Sequence, residues 1–181
     1  MSAWRVLLCA SSWVVCLFSA GVHSATPSLS AGGSHNIILK NDGTVRTWGS
    51  DGVGQLGIGR LLKTSTPISP QIFGVKAIEA GYAHTVALKG DGTVLAWGRN
   101  INGLLGDGTE TQRAAPVQVS GLKTVVAISA GDYHSVALKG DGTVWAWGRN
   151  VDGELGIGTN TDSWIPVQVQ LFQMDTGVKV Q

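Results

Sequence analysis

The chain has 181 residues, a formal net charge of +1 and only 14% charged residues, so it has no basic surplus with which to bind phosphates. Its two cysteines, Cys9 and Cys16, both lie in the first 24 residues, which leaves no basis for a disulfide framework beyond them. Its 26 glycines are about twice the usual share and recur at fixed places, which indicates tight turns.

Residues 1–24 are predicted to be a secretion signal. Arg5 is the only charged residue there, an apolar run follows it, and Val22-His23-Ser24 supplies a small-residue cleavage site, with Ala20 as a second choice. The alternative is an uncleaved membrane anchor, but serines interrupt the run and it is short for a span. Cleavage leaves 12 basic and 12 acidic residues. We therefore expect a secreted protein, extracellular or periplasmic, without a membrane or nucleic-acid partner.

The remaining residues, 25–181, are predicted to form one repeat domain. One block of sequence occurs three times, and its tryptophans Trp48, Trp97 and Trp147 are 49 and 50 residues apart. A period of about 50 residues is typical of repeat architectures. The predicted repeats cover about 31–79, 80–129 and 130–181.

Each repeat offers four short strand signals. In the second repeat a strand over 84–89 is followed by the turn Gly90-Asp91-Gly92 and a return strand over 93–98. A third strand is predicted to start at Pro116, and a fourth strand covers 75–80 or, one repeat later, 124–130. Four antiparallel strands per repeat are the anatomy of a β-propeller blade.

Three elements carry a family resemblance: Ala-Gly-x-x-His-x-x-x-Leu, Asp-Gly-Thr-Val-x-x-Trp-Gly and Gly-x-Leu-Gly-x-Gly. Over roughly 31–169 they resemble the repeat of the regulator of chromosome condensation family. The resemblance implies an all-β fold, a partial β-propeller of about three four-stranded antiparallel blades in an open arc, because the family's propeller has seven blades. The chain is then a fragment or truncated reading frame, a protomer whose copies self-associate to close the propeller, or a short open arc.

The recurring histidines are His35, His84 and His134, one in each repeat. Equivalent positions on neighbouring blades are separated by about 10 Å, too far for three imidazoles to bind one metal ion. We therefore expect each histidine to be structural and to bond nearby backbone under the Ala-Gly turn. The tryptophans Trp48, Trp97 and Trp147 are likewise expected to pack blade against blade.

Other motifs predict neither a cofactor nor a reaction. Gly52-Val-Gly-Gln-Leu-Gly57 matches a dinucleotide pattern, but no helix signal follows and Gly52 has no counterpart in the other repeats. Asn150, Asp152 and Glu154 resemble part of a calcium loop without a full ligand set. No nucleophile elbow, zinc-protease motif or free cysteine remains after residue 24. We expect no cofactor, no metal site and no enzyme activity.

Residues that differ between repeats are the candidates for binding a protein partner. They lie in the turn before each histidine and in the long loop before the third strand. The alternative interpretation is that they are ordinary loop or rim residues without a binding role. The candidates are Tyr82, Asp132, Tyr133, Arg113 and Trp164.

The favoured function is a secreted, non-enzymatic protein–protein interaction module with an unknown protein partner. The resemblance supports it, since the family includes exported bacterial propellers, among them a β-lactamase inhibitory protein. The alternative is guanine-nucleotide exchange on a small GTPase, the activity of the family's name-giving nuclear member. A repeat fragment without function is the third possibility.

Overall fold

The computed structural model describes residues 25–170. The predicted signal segment 1–24 and the last residues, 171–181, lie outside the described part. Within it the chain forms twelve β-strands and one short 3-10 turn, Ile101–Gly103. No helix in this part has the length and apolar character needed to cross a membrane. The strands are β1 Ser28–Ala31, β2 His35–Leu39, β3 Val45–Gly49, β4 Thr64–Ile68, β5 Val75–Ala80, β6 His84–Lys89, β7 Val94–Gly98, β8 Arg113–Gln118, β9 Val125–Ala130, β10 His134–Lys139, β11 Val144–Gly148 and β12 Ser163–Gln168.

The strands form three four-stranded antiparallel sheets, each in simple chain order. Blade 1 consists of β1–β4, blade 2 of β5–β8 and blade 3 of β9–β12. Blade 2 lies between the other two, with β5 against β1 and β2, and β9 against β5 and β6. The prediction of an all-β partial propeller of three blades in an open arc is confirmed.

The hairpin between the second and third strand of each blade is fixed by its aspartate. In blade 2, Asp91 Oδ1 accepts a hydrogen bond of 2.9 Å from the Thr93 amide, and Lys89 lies 3.4 Å from the same carboxylate. Hydrogen bonds from Thr44 lower the pKa of Asp42 to about 2, and those from Thr143 do the same for Asp141. The recurring Asp-Gly-Thr is therefore a turn device.

The last strand of each blade begins earlier than the sequence predicted. β8 starts at Arg113, so Pro116 is its fourth residue and not its first. Proline is tolerated because β8 pairs only with β7, and because the register shifts between Ala96 and Gly98 on that partner. The prediction that the strand starts at the proline was wrong. The proline fits inside β8 because β8 is an edge strand with a bulge.

A tryptophan joins each of blades 2 and 3 to the blade before it. The Trp97 indole is fully buried, and its Nε1 donates a 3.0 Å bond to the Gln55 carbonyl in blade 1. Trp147 repeats this bond, also 3.0 Å, to the Leu104 carbonyl in blade 2. Gly57 lies directly under the Trp97 ring, where a Cβ would sit 2.7 Å from Nε1. The apolar core is thus found between blades.

Candidate interaction surface at the turn end

The turns between the first and second strand of the blades are hydrogen-bonded into one row. The Gly81 amide donates 2.9 Å to the His84 carbonyl and closes the blade 2 turn. Across the blade boundaries, the Gly33 amide donates 3.0 Å to the Tyr82 carbonyl, and the Tyr82 amide donates 3.4 Å to the Asp132 carbonyl. Main-chain bonds therefore hold three consecutive turns side by side, all at the same end of their blades.

The buried histidines support this row from below. His35 Nε2 lies 2.9 Å from Thr85 Oγ1, and His84 Nε2 lies 3.0 Å from Ser135 Oγ. We expected bonds to nearby backbone; the partner is instead a hydroxyl of the next blade, because alternation along a strand turns that residue toward the preceding blade. The Thr85 hydroxyl in turn donates a 3.1 Å hydrogen bond to the Gln55 carbonyl.

Both histidines are neutral and have a structural role. Burial lowers the pKa of His35 to about 4, and burial lowers that of His84 to about 3, since a buried imidazolium lacks hydration. Their Nε2 atoms point to hydroxyls of separate blades. Across residues 25–170, no three His, Cys, Asp or Glu side chains are grouped so that they could hold a metal ion.

Two tyrosines meet on the outside of the row. The ring centroids of Tyr82 and Tyr133 are 5.8 Å apart and the planes are tilted by 36°. Tyr82 is 46% exposed, Tyr133 is partly buried, and the exposed Asp132 adjoins them. The two rings come from non-equivalent positions, since Tyr82 stands two residues before its histidine and Tyr133 only one. Sequence reasoning named both residues but did not predict that they touch.

The other two candidates lie at the same end of the blades. Arg113 is paired with Gly98, which is paired with His84, so Arg113 lies two strand spacings, about 10 Å, from the turn row. Trp164 is exposed and follows Ser163, which is paired with the Gly148 end of β11. We call the set Tyr82, Asp132, Tyr133, Arg113 and Trp164 the turn-end surface.

Arg113 is held in place by its own loop. Its Nε donates a 2.8 Å bond to Asp107 Oδ2, and a guanidinium nitrogen lies at the same distance from that oxygen. Partial burial by itself would raise the pKa of Asp107, but hydrogen bonds from Thr109 and Arg113 outweigh it and lower the pKa. The guanidinium is therefore fixed in position at the rim, with its charge balanced by the Asp107 carboxylate.

Sequence reasoning named Asn150 only within a calcium-like pattern and missed that its position in the repeat organises each long loop. Asn100 is fully buried; its Oδ1 accepts from the Leu105 amide at 2.9 Å, and its Nδ2 donates to two loop carbonyls. Asn150 makes the same bonds in blade 3, and Asp51 takes the position in blade 1. A polar residue two positions after every Trp-Gly was the available signal.

The motifs set aside as calcium-like and dinucleotide-like belong to these loops. The Asn150 side chain is engaged within the loop, while Asp152 and Glu154 both pair with Arg149. Gly52–Gly57 forms the loop between β3 and β4, and Gly57 contacts Trp97.

Tandem four-stranded blades joined by tryptophan define the chain as a β-propeller repeat protein. The sequence profile of the regulator of chromosome condensation (RCC1) repeat matches residues 42–88, 91–138 and 141–181. A second RCC1 repeat profile matches 28–55, 75–104 and 125–154. The chain therefore belongs to the RCC1 repeat family. Among curated proteins no sequence matches it significantly.

Solved structures of the family share the fold. Human WBSCR16 is 26% identical with a TM-score of 0.69, and Prp20p from Saccharomyces cerevisiae is 26% identical with a TM-score of 0.66. Each match covers 80% of this chain and 38% of the solved chain, so the chain spans well under half of either relative. The structure of Prp20p is described together with its binding to Gsp1p and histones.

Proposed function

We propose that this chain is an exported, non-enzymatic module that binds another protein through the turn-end surface. The observation that carries the proposal is the Tyr82–Tyr133 pair, two aromatic rings 5.8 Å apart on the outside of a hydrogen-bonded row of turns. Export rests on the sequence of residues 1–24 alone.

The backbone beneath the tyrosines is fixed before any partner arrives. The Tyr82 amide and carbonyl are both bonded to neighbouring turns, and His84 is buried directly behind them. A preorganised surface loses little conformational entropy on binding, and tyrosine adds contact area with only two side-chain torsions to order. Tyrosine is enriched among the central residues that carry most of the binding energy of protein interfaces.

Charge at the edge would orient the partner. Asp132 is exposed next to the rings, whereas Arg113, about two strands away, is partly buried and ion-paired with Asp107. Exposed charges at an interface rim mainly affect association rate and orientation, while the aromatic centre supplies affinity. We therefore propose a partner that packs an apolar or aromatic side chain against the two tyrosine rings and offers a donor to Asp132.

The test uses the double variant Tyr82→Ala/Tyr133→Ala. A partner is first captured with the full chain from the extracellular or periplasmic fraction of the source cells, and its affinity for the chain is then measured by calorimetry. Centre residues cost about 2 kcal/mol or more each when truncated, but the costs of two rings in contact do not simply add, so the double variant should bind at least about 100-fold more weakly.

The matched control is Phe73→Ala, which removes a 64% exposed ring next to Gly74, at the opposite, hairpin end of the blades. It should bind like the unchanged chain. Equal affinity of the double tyrosine variant, with unchanged circular dichroism, would refute the turn-end surface as the binding site. Retention of the chain in the cytosol would separately refute export.

The family resemblance gives one alternative, guanine-nucleotide exchange on a small GTPase, and the likeness to Prp20p, whose structure is described with its binding to Gsp1p, favours it. Its test is the release of a fluorescent guanine nucleotide from a small GTPase with and without the chain. Release accelerated by the chain, and not by the double tyrosine variant, would support exchange through the same surface.

A further inference from the structure

The interface between blades is built twice with the same bonds. At both boundaries a histidine of the earlier blade meets a hydroxyl of the later one, at 2.9 and 3.0 Å, and a tryptophan of the later blade donates to a loop carbonyl of the earlier one. Two main-chain bonds also recur, from Gly59 to the Ala114 carbonyl and from Gly108 to that of Trp164. Each blade therefore has a leading face, which supplies hydroxyl and indole, and a trailing face, which supplies histidine and carbonyl.

The leading face of blade 1 has the indole of Trp48, with Asn36 at the hydroxyl position, and meets no earlier blade among the described residues. Leu29 is 76% exposed, whereas Ile78, its equivalent in blade 2, is 4% exposed under blade 1. Trp48 stands where Trp97 and Trp147 stand and is only half-buried.

The trailing face of blade 3 shows the complementary exposure. Leu138 is 37% exposed, whereas its equivalents Leu39 and Leu88 are fully buried under the next blade. His134 and Glu154 take the positions of the histidine and the loop carbonyl. At Gly153 a Cβ would meet nothing within 4 Å, while at Gly103 it would lie 2.4 Å from Trp164 Cα of the next blade. Blade 3 thus keeps the groove into which a following blade fits.

We propose that these two faces bind each other between copies of this chain, so that blade 3 of one copy packs on blade 1 of the next. In this contact Trp48 Nε1 would donate to the Glu154 carbonyl, and Asn36 would take the place of Thr85 and Ser135 opposite His134. The occupant is a second copy because the missing half of each face is present on the other end of the same chain. This contact would use the same groups as the two blade boundaries observed within the chain.

The pairing is head to tail. Donor and acceptor groups lie on opposite faces, so two leading faces would bring indole against indole and leave both carbonyls unmatched. A head-to-tail contact is heterologous, and it gives a ring where the rotation closes and an open chain of copies where it does not.

Two departures weaken the contact relative to the internal boundaries. Asn36 replaces a hydroxyl, and the exposed Arg46 replaces Leu95 and the partly buried Trp145. A charge on an otherwise apolar face limits its association. We therefore expect reversible, concentration-dependent assembly, and Asn36→Thr, which restores the internal residue, should shift it several-fold toward lower concentration.

Sedimentation velocity on the full chain over a range of concentrations is the experiment. The variants are Leu29→Glu on the leading face and Leu138→Glu on the trailing face. The control is Val126→Glu, at a position that in blade 2 is Lys76, exposed even though that blade has neighbours on both sides. Far-UV circular dichroism confirms that each variant is folded, and Leu29, being mostly exposed, carries the test if the Leu138 variant unfolds.

The unchanged chain and the Val126 variant should assemble, and each face variant alone should remain a single copy. A mixture of the two face variants should give a pair and nothing larger, because each variant retains the one face that its partner lacks. A chain that stays a single copy at every concentration would overturn the proposal and leave the faces to blades of another polypeptide. A mixture that remains unpaired, or a control that abolishes assembly equally, would also overturn it.

Discussion

Replacing the repeat tryptophans one at a time measures how strongly the blades depend on each other. Trp97 and Trp147 are fully buried between blades and donate to a carbonyl of the preceding blade. Trp48 occupies the same sequence position, but no blade precedes it in the described part of the chain, and its ring is half-buried. The three substitutions to alanine therefore share their chemistry and differ in what covers the ring.

The expected magnitudes follow from burial. Deleting a fully buried tryptophan costs about 3–5 kcal/mol, including the cavity it leaves. Removing the half-buried Trp48 ring should cost about 2 kcal/mol or less, because much of its surface is already in water. Trp97→Phe should cost less than Trp97→Ala, since the lost bond contributes about 1 kcal/mol and the Gln55 carbonyl keeps the Thr85 hydroxyl at 3.1 Å.

Urea unfolding followed by far-UV circular dichroism measures these differences without relying on the removed fluorophore. It should be done at low protein concentration, because association through the blade 1 face would cover Trp48. A Trp48 variant as destabilised as the Trp97 variant under these conditions would refute the assignment of stability to blade boundaries. So would a Trp97→Ala chain that unfolds at the same urea concentration as the unchanged chain.

Three further substitutions test the histidine, the turn and the loop. Burial lowers the pKa of His84 to about 3, so its contribution to stability, complete above pH 6.5, is lost between about pH 6.5 and 3 at about 1.4 kcal/mol per pH unit. His84→Gln should remove this part of the pH dependence of the urea midpoint and leave the part due to His35; an unchanged slope would contradict it. Gly81→Ala should lower the melting temperature because its Cβ would lie 2.6 Å from the Gly131 carbonyl oxygen. The control Gly52→Ala should not, because a Cβ there would meet nothing within 4 Å. Equal melting temperatures of the two variants would argue against close packing at Gly81. Asn100→Asp should cost about 2–3 kcal/mol at neutral pH, because its Nδ2 donates to two carbonyls, and should recover on acidification; a loss independent of pH would count against this.

The strands that the sequence predicted best are those set by local chemistry. β6 over His84–Lys89 and β5 over Val75–Ala80 have the predicted limits, because alternating side chains and an Asp-Gly turn act within a few residues. The start of β8 was missed because Pro116 is normally excluded from strands, and only its place at a bulge in an edge strand permits it.

Contacts across blades could not be predicted because they depend on how two sheets are placed. The bond from His84 to Ser135 joins residues 51 apart, and no local pattern specifies which of the many polar groups faces the imidazole. The Tyr82–Tyr133 contact depends in addition on the bond between their turns. By contrast, the repeat itself showed which positions vary, and these positions lie at the same end of the blades.

The row of turns explains why variation is tolerated there. Gly33, Tyr82 and Asp132 occupy the same position of the repeat, and the bonds that join them use only main-chain amide and carbonyl groups. The side chain at this position takes no part in those bonds, whereas the glycine before it is confined: a Cβ on Gly81 would lie 2.2 Å from the His84 ring. At Gly33 a Cβ would lie 2.7 Å from the Tyr82 ring, so in blade 1 the absence of a side chain makes room for that ring. A scaffold held by backbone bonds can therefore carry tyrosine in blade 2 and aspartate in blade 3, while blade 1 has glycine beside the Tyr82 ring. Specificity for a partner can thus change at the turn end while the blade boundaries stay as they are.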